Sequence, residues 1–319
     1  MPLEVPSDGD LAIHSLLCDP QDNIERPSAF LYRAVVSSFY NREKSVWKEG
    51  IKKNGEEIEN TEGIITETQL YGVLADALFH RERAEAIFNL LKSGPHFQRA
   101  LNLWNWSVDE GDGSMTGKEF SSSTQLIGVL CEARFDSAGA RRRHEELKGM
   151  PFYDMDKKQW MGFVGLNRRG VLVVEDDKCY CDAQLLGVCA ELLFNPQEAK
   201  ESFERCSNLR ESAGERRWQF ATHTDGTISG ADDRECTADN QLLGVHCEGL
   251  IDYASGRRVF LQLKDGSLHD VVRKQWKNSS SDSDRMTSAQ LLGVLCAYLF
   301  EEEVFQGSRI PRMPTVRSF

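Results

Sequence analysis

The chain has 319 residues, of which 40% are hydrophobic and 28% charged, a composition typical of a globular protein with an apolar core. Its formal net charge of −12 argues against nucleic-acid binding, because a phosphate backbone is bound through clustered Lys and Arg. The same charge argues against binding to anionic membrane surfaces. The longest apolar runs, such as 290–300, are too short to cross a bilayer.

The first ten residues lack the basic and apolar segments of a signal peptide. Nine cysteines are present, an odd number, and several of them lie in apolar helical segments, where thiols behave as small hydrophobic groups. The pair Cys179 and Cys181 has no second Cys/His pair at zinc spacing. We therefore expect a cytoplasmic protein without a disulfide framework, metal or cofactor.

In chain order, the pattern predicts five similar units, each with an outer helix, a turn, a tryptophan, a polar link and an inner helix. The first outer helix is expected near 24–40 and the last inner helix near 287–305. The units cover 21–80, 81–136, 137–195, 196–252 and 253–305, followed by a basic tail at 306–319. We expect a single domain over 1–319.

The repeat is defined by the phrase Gln-Leu-x-Gly-Val, which opens each inner helix with spacings of 56, 59, 57 and 49 residues. The five copies begin at Gln69, Gln125, Gln184, Gln241 and Gln290, and the preceding tryptophans are Trp47, Trp104, Trp160, Trp218 and Trp276. The links carry turn signals such as Asp112-Gly113 and Asp225-Gly226, which predict short β-hairpins.

Five outer and five inner helices predict a mainly α fold in which the terminal helices pair and close an α/α toroid. A segment at 10–17 would extend the toroid toward six hairpins. An open solenoid is the main competitor. Open solenoids require polar capping repeats, whereas the last inner helix is as apolar as the central ones, which favours closure.

This arrangement of helical hairpins with Trp- and Asp-Gly-rich links resembles that of the α/α-toroid enzymes, which include six-hairpin glycosidases, sugar epimerases and polysaccharide lyases. The resemblance covers nearly the whole chain at the level of architecture. It implies a carbohydrate-like substrate bound at the mouth of the ring.

Most residues of the repeated phrase, and the tryptophans before it, have a structural explanation. Three of the glutamines match a capping box, in which the side chain bonds back to the cap amide, and the helical glycines indicate close approach of a neighbour. The tryptophans are interpreted mainly as core wedges, with sugar stacking as the alternative, for which Trp106 is the best candidate. The residues considered for substrate binding are Trp106, Trp104, Trp160, Trp218, Gln125, Gln184 and Gln241.

Acidic residues follow seven positions after the glutamine in four units, at Asp76, Glu132, Glu191 and Glu248. They share a helical face with the glutamine and the glycine. Two interpretations stay open: the acids face the lumen, where mutual repulsion would raise their pKa, or each pairs with a basic residue of an outer helix.

The fourth unit departs most from the repeat, because His246 replaces a leucine or cysteine there. A histidine is a plausible general base. The candidate catalytic residues are His246, Glu248, His223 and Asp225 from unit four, with Asp109 and Asp112 from unit two.

The sequence thus predicts an enzyme acting on a small polar, carbohydrate-like substrate by carboxylate and histidine acid–base chemistry, as a hydrolase, epimerase or lyase. One alternative is a helical-repeat interaction module, whose centre would be filled by apolar side chains. Another is a terpenoid-type cyclase, which would need an aromatic cavity. The oligomeric state stays open.

Overall fold

The fold was analysed in a computed structural model, which describes residues 27–52, 54, 56–58, 63–116, 119–206, 218–223, 237–279 and 284–301. The predicted extra helix at 10–17, the candidate Asp225 and the tail at 306–319 lie outside the described residues.

The helices of the described residues form two layers. The outer helices are α1 (Pro27–Phe39), α3 (Arg81–Ser93), α5 (Ser137–Lys148), α7 (Pro196–Arg205) and α9 (Tyr253–Lys264). The inner helices are α2 (Thr66–Asp76), α4 (Ser122–Phe135), α6 (Cys181–Phe194), α8 (Ala238–Ile251) and α10 (Thr287–Glu301). The inner helices are buried on nearly every side, whereas the outer helices bury one apolar stripe, as in α3, where Ala84 and Phe88 are buried.

The inner helices form a closed ring. Each packs on the next, in the order α2, α4, α6, α8 and α10, and α10 packs back on α2. The outer helices α3, α5, α7 and α9 cover the inner helix that precedes each of them, and α1 covers α10. The first described helix therefore pairs with the last, and the predicted five-hairpin α/α toroid is confirmed over these residues.

In the described part of the chain, four short hairpins lead into tryptophans. They are β1 (Tyr40–Asn41) with β2 (Val46–Trp47), β5 (Phe97–Gln98) with β6 (Leu103–Trp104), β9 (Tyr153–Asp154) with β10 (Gln159–Trp160), and β15 (His269–Asp270) with β16 (Gln275–Trp276). Each pairs its tryptophan with an aromatic ring, for example Tyr40 with Trp47 at 5.1 Å between ring centroids. The residue two positions before each of these tryptophans has φ between 54° and 57°, the left-handed conformation that this tight turn requires. Sequence analysis placed hairpins after the tryptophans and missed these.

Other strands join neighbouring units. They are β3 (Gly50–Ile51) with β17 (Arg285–Met286), β4 (Ile64–Ile65) with β7 (Ser107–Val108), β8 (Glu119–Ser121) with β11 (Phe163–Leu166) and then β12 (Leu172–Val174), and β13 (Lys178–Tyr180) with β14 (Ala221–His223). All pairs are antiparallel. Much of each polar link is thus used to hold one unit against the next.

One backbone hydrogen bond recurs at all five junctions. The first residue of each inner helix donates its N–H to the carbonyl two residues after the tryptophan of the next unit. The bonds run from Thr66 to Trp106, Ser122 to Gly162, Cys181 to Phe220, Ala238 to Asn278 and Thr287 to Glu49, with lengths of 2.9 to 3.0 Å. The last of these connects unit five to unit one and closes the ring.

The repeated glutamine clamps the peptide of its own tryptophan. In the third unit, Gln184 Oε1 accepts from the Trp160 N–H at 3.0 Å and Gln184 Nε2 donates to the Trp160 carbonyl at 2.6 Å. The other four units make the same pair of bonds. The glutamines are therefore structural, as expected, but the capping-box contact predicted for them is wrong, since their amides hold the tryptophan peptide instead.

The repeated glycine makes room for the indole of the same tryptophan. A Cβ atom on Gly187 would overlap Nε1 and Cδ1 of Trp160, and the other four glycines stand in the same relation to their tryptophans. The predicted close approach at these glycines is confirmed.

We expect Gln184→Ala to destabilise the fold by about 3 kcal/mol, because it leaves a buried N–H and C=O of Trp160 without partners. Urea unfolding measures the difference. Gln197→Ala, on the exposed face of α7, is the matched control and should change stability by less than about 0.5 kcal/mol. Equal effects in the two variants would contradict the clamp.

We expect Gly187→Ala to destabilise the fold by about 2 kcal/mol through overpacking, although the same change in an open helix stabilises by about 1 kcal/mol. A double-mutant cycle with Trp160→Leu is the check. The cost of Gly187→Ala should fall when the indole is absent, and an unchanged cost would refute the contact as its cause.

Candidate functional site

The acids seven positions after the glutamine face the outer helices. Asp76 accepts hydrogen bonds from Tyr32, at 2.6 Å, and from Arg83. In the next two units Glu132 pairs with Lys92 at 3.0 Å and Glu191 with Lys148 at 3.1 Å, and in the fourth unit Glu248 accepts from Ser255 at 2.5 Å. Pairing with a basic residue of an outer helix is therefore confirmed for Asp76, Glu132 and Glu191, whereas Glu248 faces its outer helix through a serine.

A cavity of about 460 Å³ lies where the amino ends of the inner helices converge. Two repeat positions supply half of its described lining, the second residue before the glutamine and the second residue after the tryptophan. From the first position it takes Glu67, Asp182, Asp239 and Ser288, and from the second Glu49, Trp106, Phe220 and Asn278. Because the N–H groups of a first helical turn lack intrahelical partners, these helix ends favour negative charge in the cavity.

Neighbouring helices bond their cavity-facing side chains in pairs. Ser123 Oγ on α4 donates to Glu67 Oε2 on α2 at 2.8 Å, and Ser288 Oγ on α10 donates to Asp239 Oδ2 on α8 at 2.6 Å. Within the described residues, Asp239 Oδ1 and the buried Asn240 Nδ2 have no hydrogen-bond partner. An acceptor and a donor are therefore left for a molecule in the cavity.

Three of the four lining carboxyls, those of Glu67, Asp182 and Asp239, have a raised pKa. Burial raises the pKa of Glu67 from 4.5 to about 8, and the charge of Asp182 adds to this effect against the opposing hydrogen bond from Ser123. Burial also raises the pKa of Asp182, partly offset by the backbone N–H of Ala183, and it raises the pKa of Asp239. At neutral pH Glu67 is thus a protonated acid beside other carboxyls, a division suited to general acid–base catalysis.

Aromatic rings form one side of the mouth. Trp106 and Phe220 line the cavity and are joined through Phe163 and Tyr180, each ring meeting the next edge to face at 5.4 to 5.8 Å between centroids. Trp106 is half-buried, so part of its indole is exposed in the cavity lining.

The sequence-predicted catalytic residues lie elsewhere. His246 projects from α8 five residues after the glutamine, and burial, with a contribution from the charge of Arg134, lowers its pKa to about 4. His223 on β14 pairs with Asp177 at 3.0 Å. In unit two, the Asp109 carboxylate accepts backbone N–H groups within an exposed turn.

Asp112 does the same in that turn, where the hydroxyl and backbone of Ser114 lower its pKa. Glu248 faces α9, and Asp225 is outside the described residues. None of the described candidates, His246, His223, Glu248, Asp109 and Asp112, is among the described residues that line the cavity.

Among the predicted binding residues, Trp106 lines the cavity, whereas Trp104, Trp160 and Trp218 are buried in the core. Gln125, Gln184 and Gln241 are occupied by the tryptophan peptides.

None of Glu67, Asp182 and Asp239 was among the candidate site residues taken from the sequence. The signal was present in the repeat. The second position before the glutamine is acidic or serine in all five units. A position that stays polar two residues before an invariant, buried glutamine indicates a side chain that faces the lumen.

The described residues contain neither a metal-binding cluster nor a membrane-spanning helix. No group of three or more His, Cys, Asp or Glu side chains there could hold a metal ion. No helix within the same ranges is both long and apolar enough to traverse a bilayer.

The fold is similar to those of several solved carbohydrate-processing enzymes. A D-mannose isomerase matches with a TM-score of 0.56 and 10% identity, covering 88% of this chain and 99% of its own. A family 76 glycoside hydrolase (mannosidase) from Bacteroides thetaiotaomicron matches with a TM-score of 0.51 and 10% identity, covering 87% and 98%. A sugar epimerase from a ruminal bacterium has the same TM-score and identity, covering 87% and 75%.

No protein-family model matches the sequence, and no curated protein matches it. At this identity the structural similarity shows the fold alone. The predicted resemblance to α/α-toroid enzymes is thereby confirmed as one of architecture.

We expect the stability gained by Glu67→Gln to grow as pH rises from about 4.5 to 8. Below pH 4.5 both states carry the proton, and between the two values the unfolded chain releases it while the folded protein holds it, so wild-type stability falls. Thermal unfolding at pH 4.5, 6.5 and 8.5 measures the difference. Glu145→Gln, which removes an exposed carboxylate on α5, is the control for the loss of one charge. If the melting temperatures of wild type and Glu67→Gln change in parallel with pH, a protonated Glu67 is contradicted.

Proposed function

We propose that this protein is an enzyme acting on a small carbohydrate by acid–base chemistry between carboxyls in the central cavity. The observation that carries the proposal is the set of Glu67, Asp182 and Asp239 at equivalent positions of three inner helices, all with raised pKa, in one cavity. The cavity volume falls within the range of about 300–1,000 Å³ common for small-molecule sites.

The residues have distinct roles in this proposal. Glu67, protonated at neutral pH, is the general acid that protonates the leaving oxygen. Asp182 is the carboxylate that activates water or attacks the sugar, and its pKa is raised by burial and further by the charge of Asp239. Trp106 supplies a stacking face for the sugar ring.

Two carboxyls with opposite protonation are the requirement of glycoside hydrolysis. Epimerisation or β-elimination through histidine would need a histidine in the cavity, and the described lining has none. Among the hydrolase, epimerase and lyase alternatives, the described lining therefore favours a glycoside hydrolase.

The other two hypotheses are less well supported. An interaction module would have its centre filled by apolar side chains, whereas the cavity is open and acidic. A cyclase for a hydrophobic substrate needs aromatic walls without ionisable groups, and the four carboxyls that line the cavity oppose that.

The proposal is tested by screening purified protein for release of reducing ends from a panel of α- and β-linked oligosaccharides. Glu67→Gln and Asp182→Asn should each lower kcat by about 10³-fold, because each removes a proton-transfer group. The matched control is Glu248→Gln, a carboxyl of the same inner layer that faces α9, and it should retain activity within about threefold.

The result that would sink the proposal is an unchanged kcat in both Glu67→Gln and Asp182→Asn. If Glu248→Gln loses activity while Glu67→Gln and Asp182→Asn retain it, the catalytic groups are the carboxyls nearer the outer layer.

A further inference from the structure

The charge of the central cavity has one sign. Four carboxyls line it, those of Glu49, Glu67, Asp182 and Asp239, and no Lys, Arg or His is among the lining residues that the structure describes. The carboxyls nearer the outer layer contrast with this, since Asp76, Glu132 and Glu191 each meet an arginine or lysine. The cavity lining that the structure describes is therefore acidic without a basic side chain, unlike the carboxyls nearer the outer layer.

A second, independent feature points to a ligand in the same place. Asn240 is only 3% exposed, lines the cavity and has no partner for Nδ2 among the described residues. The adjacent Asp239 leaves Oδ1 without a partner as well. Since buried polar atoms are nearly always hydrogen-bonded, these two atoms are the ones that a bound molecule would complete.

The two atoms require different chemistry. The amide Nδ2 is a donor and needs an acceptor such as a sugar hydroxyl oxygen, whereas the carboxylate Oδ1 needs a donor. A positively charged donor is favoured over a neutral one, because it also offsets the repulsion among the lining carboxyls. The ring faces of Trp106 and Tyr71, which line the cavity too, attract cations as well as sugar rings.

We propose that the cavity takes an amino sugar, a polyol ring bearing a protonated amine, and discriminates against uronic acids and sugar phosphates. The ammonium group donates to Asp239 Oδ1, Asn240 Nδ2 donates to a ring hydroxyl, and Trp106 stacks on the sugar face. This inference rests on the proposed function and specifies the substrate class of the same site.

Isothermal titration calorimetry at pH 6 tests the inference with monosaccharide probes. D-glucosamine and D-mannosamine are compared with D-glucose and D-mannose, and D-glucuronate serves as the anionic probe. The amine of at least one pair should bind tenfold or more tightly than its neutral counterpart, and glucuronate should bind most weakly. Raising the salt concentration should reduce the amine preference, since the attraction is between charges.

Asp239→Asn keeps the shape of the side chain and removes its charge. It should bring the ratio of amine to neutral-sugar affinity toward one, while Glu145→Gln, a distant exposed carboxyl, should leave that ratio at the wild-type value. A ratio that is unchanged in Asp239→Asn would overturn the assignment of the amine to this group.

The wild-type measurements separate this inference from the proposed function. Neutral sugars that bind as tightly as their amines, or a glucuronate that binds best, would overturn the amine preference while leaving a carbohydrate site in place. The absence of binding by every probe, together with no turnover in the oligosaccharide screen, would overturn both.

Discussion

The architecture depends on the clamp between each glutamine side chain and the peptide of its own tryptophan. The clamp fixes the start of an inner helix relative to the strand that carries the tryptophan, and the indole is then held against the helical glycine one turn further on. Both partners of the clamp are buried, so each amide group would be costly to leave unpaired. Because the same helix start also bonds to the next unit, five local clamps determine the closure of the whole ring.

The same constraint explains how the site is built. Once the glutamine is held toward its tryptophan, the residue two positions earlier has to face the lumen, and the residue two positions after the tryptophan meets it across the unit junction. The scaffold therefore has nearly fivefold symmetry, whereas the side chains that face the lumen differ between units. Glu67, Asp182 and Asp239 differ from Ser123 and Ser288 at otherwise equivalent positions, so the site is made by variation at one position of an invariant frame.

The sequence predicted the frame well and the site poorly, for physical reasons. Repeat spacing and apolar periodicity depend on burial, so they predicted the five hairpins, the close approach at the glycines and the pairing of terminal helices. The lumen-facing position carries no periodic apolar signal of its own. Their spacing puts Asp76 and its counterparts on the same helical face as the glutamine. That face meets the outer layer, because the glutamine points to the tryptophan rather than to the lumen. Departure from the repeat drew attention to His246, whose position on α8 is away from the cavity lining.

The hydrogen bond from Thr287 to Glu49 makes the junction between the last and first units chemically equivalent to the other four. In a closed ring of this kind, the contacts between units do not depend on which unit comes first in the chain. A gene rearranged to start at unit two and finish with unit one would encode the same set of inter-unit bonds. Duplication and reshuffling of single units are then open routes of divergence, since the side chain at the lumen position changes with each unit while the clamp that presents it stays the same.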